Sequence, residues 1–496
     1  MKRTSMVLAI ALTAMLVLIS CGSSSSDSAP ITTTATGPSA PQSVSVQSKV
    51  QKTTVSWDAV TDATSYNLYW SQTSPVSTSS SNKVAGVTSP YQHTHLNAGN
   101  YYYAVTAVNA NGESSISSEA TGTINLISFV TSSSGNANLS SWPDAVSAGS
   151  ATGLAAGDAI CQARANAANL TGTFKAWLSS GGTNTTDAYC RIHGMTGTKA
   201  DNCGQAVLPA FAGPWIRTDG IPFAPTIDKL VATTHVYSPL LYDEFGNRTF
   251  GSFIFTNTLS DGTNDDSKSA CEGWTDGSTA LANELSGLSY FAIAMWTSGY
   301  SLNCTDTANI YCMQTGAGQP LANFPATGKI AFVTSVTGSA NLGSWPDAVS
   351  AGSVTGIAAG DAICKARASA AGLLNPTHFK VWLSDSSTDA ITRLTSNGPW
   401  IRKDGVKIAD SKADLVNDHI LAQLHVTETG LYAQAVAWTG TYDDGTKDTA
   451  NVCLDWTDNT TANFGAGGGS WAGNWAWTHY SLAQCSYPQR LYCFED

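Results

Sequence analysis

From residue 127 onward, one series of motifs is written twice. Phe129-Val-Thr131 returns as Phe332-Val-Thr334, and Ser141-Trp-Pro-Asp144 as Ser344-Trp-Pro-Asp347. Gly157-Asp-Ala-Ile-Cys161 returns as Gly360-Asp-Ala-Ile-Cys364, and Phe174-Lys-Ala-Trp177 as Phe379-Lys-Val-Trp382. Further on, Gly213-Pro-Trp-Ile-Arg217 matches Gly398-Pro-Trp-Ile-Arg402, Cys271-Glu-Gly-Trp274 matches Cys453-Leu-Asp-Trp456, and Tyr311-Cys312 matches Tyr492-Cys493. Self-similarity over this length means two copies of one domain, 127–315 and 330–496, joined by a Gly/Pro/Ala-rich linker, 316–329. Each copy opens with a strand-like segment and then an alanine-rich helix. In the first copy this helix spans 155–168, with Cys161, Ala165 and Ala168 on one face. Asp158 falls in its first turn, where the helix dipole favours an acid. Short strands and long Gly/Asn/Thr loops follow, an α+β pattern.

The chain has eleven cysteines, and ten of them lie in the two copies. The eleventh, Cys21, ends a segment with Lys2 and Arg3 at its start and an apolar run from Met6 to Ile19. That order of charge, apolar run and small residue predicts a secretory signal over 1–20. Leu18-Ile-Ser-Cys21 resembles the lipobox of bacterial lipoproteins. The resemblance implies acylation of Cys21, anchoring in a lipid bilayer and an exported chain, with a lean toward the outer membrane because Gly22 stands where aspartate favours inner-membrane retention. Residues 21–39, rich in Ser, Thr, Ala, Pro and Gly, read as a flexible tether. Loss of Lys2 and Arg3 takes the formal charge from −12 to −14. With so few cations, nucleic acid is not an expected partner.

Residues 40–125 alternate with period two in several short runs: Val44-Ser-Val46, Thr54-Val-Ser-Trp57, Tyr66-Asn-Leu-Tyr69 and Tyr101 to Val108. Such spacing predicts a β-sandwich. Pro41, Trp57 on the second strand, Tyr66 on the third, and Leu96-Asn-Ala-Gly-Asn-Tyr101 resemble a fibronectin type III domain with its tyrosine corner. The resemblance implies a spacer or adhesive module. His93 and His95 would share a strand face if that strand is regular.

The duplicated unit resembles endostatin, a module with the C-type-lectin-like fold, through its Gly157 to Ala165 helix, the Gly172 to Ser180 segment with its short strand Phe174 to Leu178, the Cys-x-x-Trp element and the terminal Tyr-Cys. The implied fold class is an all-β fibronectin type III sandwich followed by two α+β lectin-like domains. The resemblance implies nested disulfides, Cys161–Cys312 and Cys271–Cys304 in the first copy and Cys364–Cys493 and Cys453–Cys485 in the second. Cys190 and Cys203, in an insertion of the first copy, are expected to pair. Phe129 and Phe332 stand where endostatin has zinc-binding histidine, and the sugar-binding triplets of calcium-dependent lectins are absent.

In lectin-like folds the loops between the inner cysteines carry ligands. Here they hold Trp471, Trp475, Trp477 and Tyr480, with Tyr290 and Trp296 in the first copy. Flat aromatics suit sugar stacking or a protein interface; a core place is the competing reading for Trp296 and Trp477. Asp261, Asp443 and Asp444 offer oxygen ligands for calcium, but match no complete calcium loop, and solvated turns explain them as well. His235 and His419 align between copies with no nucleophile beside them, and no catalytic motif is present. The expected function is therefore non-enzymatic, without a cofactor. It is recognition of an extracellular protein or glycan, the alternatives being a structural envelope spacer or a polysaccharide hydrolase.

Overall fold

The computed structural model describes residues 37–149, 151–181, 185–233, 236–249, 251–280, 284–321 and 327–496. The expected signal, Cys21, most of the tether and His235 lie outside the described residues. The described chain is mostly β-sheet in several units, and none of its helices is long and apolar enough to cross a membrane.

The first unit is a sandwich. Strands Ser45–Lys49, Lys52–Ser56 and Tyr91–Thr94 form one sheet. Asn82–Val87, Ser65–Ser71, Gly99–Asn109, Gly112–Glu113 and Ala120–Ile124 form the other. Alternation in Lys52–Ser56 turns Thr53 and Val55 inward, as a half-buried strand requires. Val55, Trp57, Leu68, Tyr103 and Val105 fill the space between the sheets. The tyrosine corner is formed, with Tyr101 Oη donating to Asn97 O at 3.2 Å. The histidine pairing is not. The strand ends at Thr94, and His95 takes a left-handed φ of 58°, which takes it off the face of His93. His93 instead lies against Trp70 and hydrogen-bonds to Tyr103 Oη at 3.0 Å, and burial lowers its pKa.

The two repeats share one sheet order. In the first it runs Pro222–Ala224, Trp215–Arg217, Leu126–Val130, Asn309–Gln314, Phe253–Phe255, Glu284–Leu288, Tyr300–Leu302. In the second it runs Lys407–Ala409, Trp400–Ile401, Lys329–Val333, Arg490–Glu495, Val436–Trp438, Phe464–Gly469, Ser481–Gln484. In both, the first and last strands of the repeat are antiparallel neighbours, so the domain is closed by its own ends.

The alanine-rich helix spans Gly153–Ala167, starting two residues before the expected position, and buries Ala156, Gly157, Ile160, Cys161 and Ala165. Ala168 is its C-cap and only half-buried. A Cβ at Gly157 would meet Leu178 Cδ1 at 2.7 Å and Ala176 Cβ at 3.1 Å, so a small residue brings helix and strand together. Asp158 sits beyond the first turn and acts differently from expectation. It accepts from Ala176 N at 3.1 Å and pairs with Lys175 at 3.0 Å and with Arg191, tying three elements together.

All ten repeat cysteines are bridged: Cys161–Cys312, Cys190–Cys203, Cys271–Cys304, Cys364–Cys493 and Cys453–Cys485. Such bridges stabilise loop-rich domains by about 2–4 kcal/mol each, mostly by restricting the unfolded chain. They also fit an oxidising, exported setting.

The sandwich is docked on the first repeat. Gln51 Nε2 donates to Thr171 O at 2.8 Å, Thr171 N donates back to Gln51 Oε1 at 2.7 Å, and Thr171 Oγ1 donates to Leu96 O at 3.2 Å.

Candidate functional site: the junction of the two repeats

The aromatic loops that sequence reasoning marked for ligand binding face each other. Phe291 forms an antiparallel bridge with Ala472. Around it, Ala292 N donates to Trp471 O at 3.1 Å and Gly473 N donates to Tyr290 O at 2.9 Å. Counting back from the matching Trp296 and Trp477, residues 290, 291 and 292 correspond to 471, 472 and 473. The contact is thus related by an internal two-fold, each loop meeting its own counterpart. Leu288 and Phe291 of the first repeat pack into the core of the second with Ala472 and Ala476.

Outside this bridge the junction is polar and less symmetric. Arg217 is fully buried, forks onto Asp219, and donates to Leu421 O of the other repeat at 2.8 Å. Its counterpart Arg402 forks onto Asp404 in the same way, at 3.0 and 2.7 Å. Burial pushes the Asp404 carboxyl up, but the Arg402 guanidinium and the Tyr432 hydroxyl more than offset this and leave it at about 2. Gln423 Nε2 donates to Val236 O at 3.0 Å and Tyr237 O at 3.1 Å.

These contacts redistribute the six aromatic candidates. Trp296 and Trp477 are core residues, 1% and 2% exposed, paired with Trp177 and Trp382 at centroid distances of 5.2 and 5.1 Å. They lie in one-turn helices, Met295–Ser298 and Trp475–Trp477, that turn both indoles into the cores of their repeats. Trp471 and Tyr290 are half-buried, and their carbonyls serve the junction. Tyr480 is 38% exposed and meets Trp471 edge-on. Trp475 is 44% exposed, and of the six candidates it lies most open to solvent.

Trp475 stands at a cleft of about 250 Å³ lined by both repeats: Leu241, Arg248, Thr249, Gly251 and Tyr290 from the first, Asp418, Asn474 and Trp475 from the second. Arg248 Nη1 donates to Ile420 O at 3.0 Å and Nη2 donates to Gly473 O at 2.6 Å, so its guanidinium closes one wall. Asp418 Oδ1 accepts from Trp475 N, and Asn474 Oδ1 accepts from Ala476 N at 3.1 Å, which fixes the loop carrying the indole. Burial, with the Tyr300 and Tyr480 hydroxyls nearby, pushes the Tyr290 hydroxyl up to about 12, so it stays protonated.

Sequence reasoning missed Arg248, Thr249, Asp418 and Asn474. The available signal was divergence inside the duplication: Arg248, Asn474 and Trp475 face Tyr432, Ile293 and Ala294 at matching positions.

The acidic candidates form local turns. Asp261 Oδ1 accepts from Thr263 N at 3.1 Å and Thr263 Oγ1 at 2.6 Å, and Asp444 does the same for Thr446 at 2.9 and 2.6 Å. Asp443 is exposed and its backbone carbonyl accepts from Asn417 N at 2.9 Å. Among the described residues, one group of three metal-type ligands converges, Cys271, Glu284 and Cys304. Its two cysteines are bridged to each other, and Glu284 accepts from Ser269 Oγ and Ala270 N.

No family model matches this chain, and no curated protein does. Similar solved structures include "FN3tt mut", 25% identical over 18% of this chain and 97% of its own, with a TM-score of 0.16. A Fn3-like protein from Clostridium thermocellum is 27% identical over 18% of this chain and 92% of its own, TM-score 0.15. The fn3 domain of human contactin 1 is 26% identical over 21% of this chain and 92% of its own, TM-score 0.17. These neighbours are fibronectin type III domains.

Proposed function

We propose that this protein is an exported recognition protein of the cell envelope. In this reading Cys21 carries lipid, a fibronectin-type sandwich acts as the spacer, and two lectin-like repeats together bind an extracellular glycan or protein. The observation that carries it is the two-fold junction at Phe291 and Ala472. It joins the repeats so that a single cleft is lined by both. Flexible spacers have no need of such a composite surface, whereas a recognition module uses preorganised shape to limit the entropy lost on binding. The disulfides and the scarcity of cations agree with a role outside the cytoplasm that does not involve nucleic acid.

The test is an array of glycans and matrix proteins probed with the full chain, purified in detergent with its disulfides intact. Saturable binding to one class is the expected result. Signal at the level of a denatured control across the array would set the recognition role aside in favour of a structural spacer.

A further inference from the structure

The cleft at Trp475 has a chemistry that narrows the ligand. The indole supplies a flat apolar face in water, 44% exposed. Asn474 lines the cleft and is 7% exposed, yet its Nδ2 donates to no described residue. Asp418 spends Oδ1 on Trp475 N, and its Oδ2 takes no hydrogen bond from a described residue. A free donor and a free acceptor beside an exposed aromatic face are what a ring carrying several hydroxyls requires, with its C–H face on the indole and hydroxyls on the amide and carboxylate.

The charge pattern separates neutral from anionic ligands. Arg248, the cation lining the cleft, gives both terminal nitrogens to the carbonyls of Ile420 and Gly473. Two of its five N–H donors are thus spent on backbone, so its charge is partly answered within the protein. Asp418 adds negative charge at the same place. The volume of about 250 Å³ is below the ~300 Å³ at which sites for drug-sized ligands begin, and suits a single ring unit with the rest of a chain running outward.

The duplication provides an internal comparison. The two-fold that relates the loops would generate a second cleft, but there Ile293 and Ala294 replace Asn474 and Trp475, and Tyr432 replaces Arg248. The frame is repeated and these side chains are not, so the lining of the Trp475 cleft is particular to one side of the junction.

We propose that this cleft is a subsite for one neutral sugar ring, stacked on Trp475 and hydrogen-bonded to Asn474 Nδ2 and Asp418 Oδ2. The proposal rests on the recognition role given above and names its ligand class and place.

The experiment uses the full chain on an array of short neutral oligosaccharides, with sialylated and sulfated ones alongside, and matrix proteins on a companion array. The strongest neutral binder is then titrated by calorimetry against wild type, Trp475→Ala, Trp475→Tyr and Phe211→Ala, the last an exposed residue in a different groove. Expected are neutral binding, a loss of about tenfold or more for Trp475→Ala, as for a central aromatic contact, recovery of most of it by Trp475→Tyr, and no change for Phe211→Ala. Melting temperatures check that every variant is folded. Neutral binding indifferent to Trp475→Ala would overturn the subsite and leave the recognition role standing. Binding confined to anionic glycans or to a protein would overturn the sugar class alone. Silence on both arrays would remove the recognition role with it.

Discussion

Phe291 and Ala472 hold matching places in the two repeats and pair with each other. The hydrogen bonds on either side, Ala292 N to Trp471 O and Gly473 N to Tyr290 O, are two-fold copies of one another. Duplication thus produced a contact of the kind formed by a symmetric dimer, held within one chain.

A side chain at Gly473 should break that contact. Its Cβ would lie 2.6 Å from Pro239 Cγ of the other repeat. Gly473→Val is expected to cost about 1–3 kcal/mol, as overpacking does, and to speed amide exchange at Ala292. A thermal melt with hydrogen-exchange mass spectrometry reads both. Unchanged exchange at Ala292 would mean that the loops do not pair in solution.

The Arg402–Asp404 pair gives a pH prediction. The folded Asp404 carboxyl is lowered from 3.8 to about 2. A depressed acid contributes stability in full above its unfolded value and loses it as pH falls through the folded one. Asp404→Asn leaves the fully buried Arg402 without its charged partner and is expected to cost about 3 kcal/mol at neutral pH. Urea titrations of wild type and variant should differ from neutral pH down to about 4 and converge toward about 2. A gap that is still unchanged near pH 2 would contradict the assignment.

The bridges should not be equal. Cys161–Cys312 closes 151 residues and Cys190–Cys203 closes 13. In the chain-entropy account, removing the long bridge by a double Cys→Ala change should cost about 2 kcal/mol more than removing the short one. Denaturant midpoints of the two double variants test the ranking, and equal losses would point to local packing instead.

Much of the frame was legible in the sequence, and for identifiable reasons. The motifs around Cys161 and Cys364 located the helices, and the nested pairs followed from the lectin-like resemblance those motifs carry. The tyrosine corner at Tyr101 was legible for a similar reason, a local hydrogen bond to Asn97. The junction was not. Tyr290 and Trp471 carry the same signature, aromatics in a mobile-looking glycine-rich loop, whether they meet a ligand or each other. Sequence reports that two copies exist and is silent on their docking. The core places of Trp296 and Trp477 stayed open because a period cannot be read from a single short loop.

Membrane attachment tests separately. If the proposed lipidation holds, Cys21→Ser is expected to shift the chain from the membrane fraction to the soluble one and to abolish labelling by a palmitate analogue. Unaltered fractionation and labelling would refute lipidation at Cys21.

One residue, Asn125, separates the last strand of the sandwich at Ile124 from the first strand of the repeat at Leu126. So short a connection, with Gln51 hydrogen-bonded to Thr171 beside it, restricts how the sandwich can turn against the first repeat. A turn of the sandwich is passed to the first repeat, and through the Phe291–Ala472 junction to the Trp475 face.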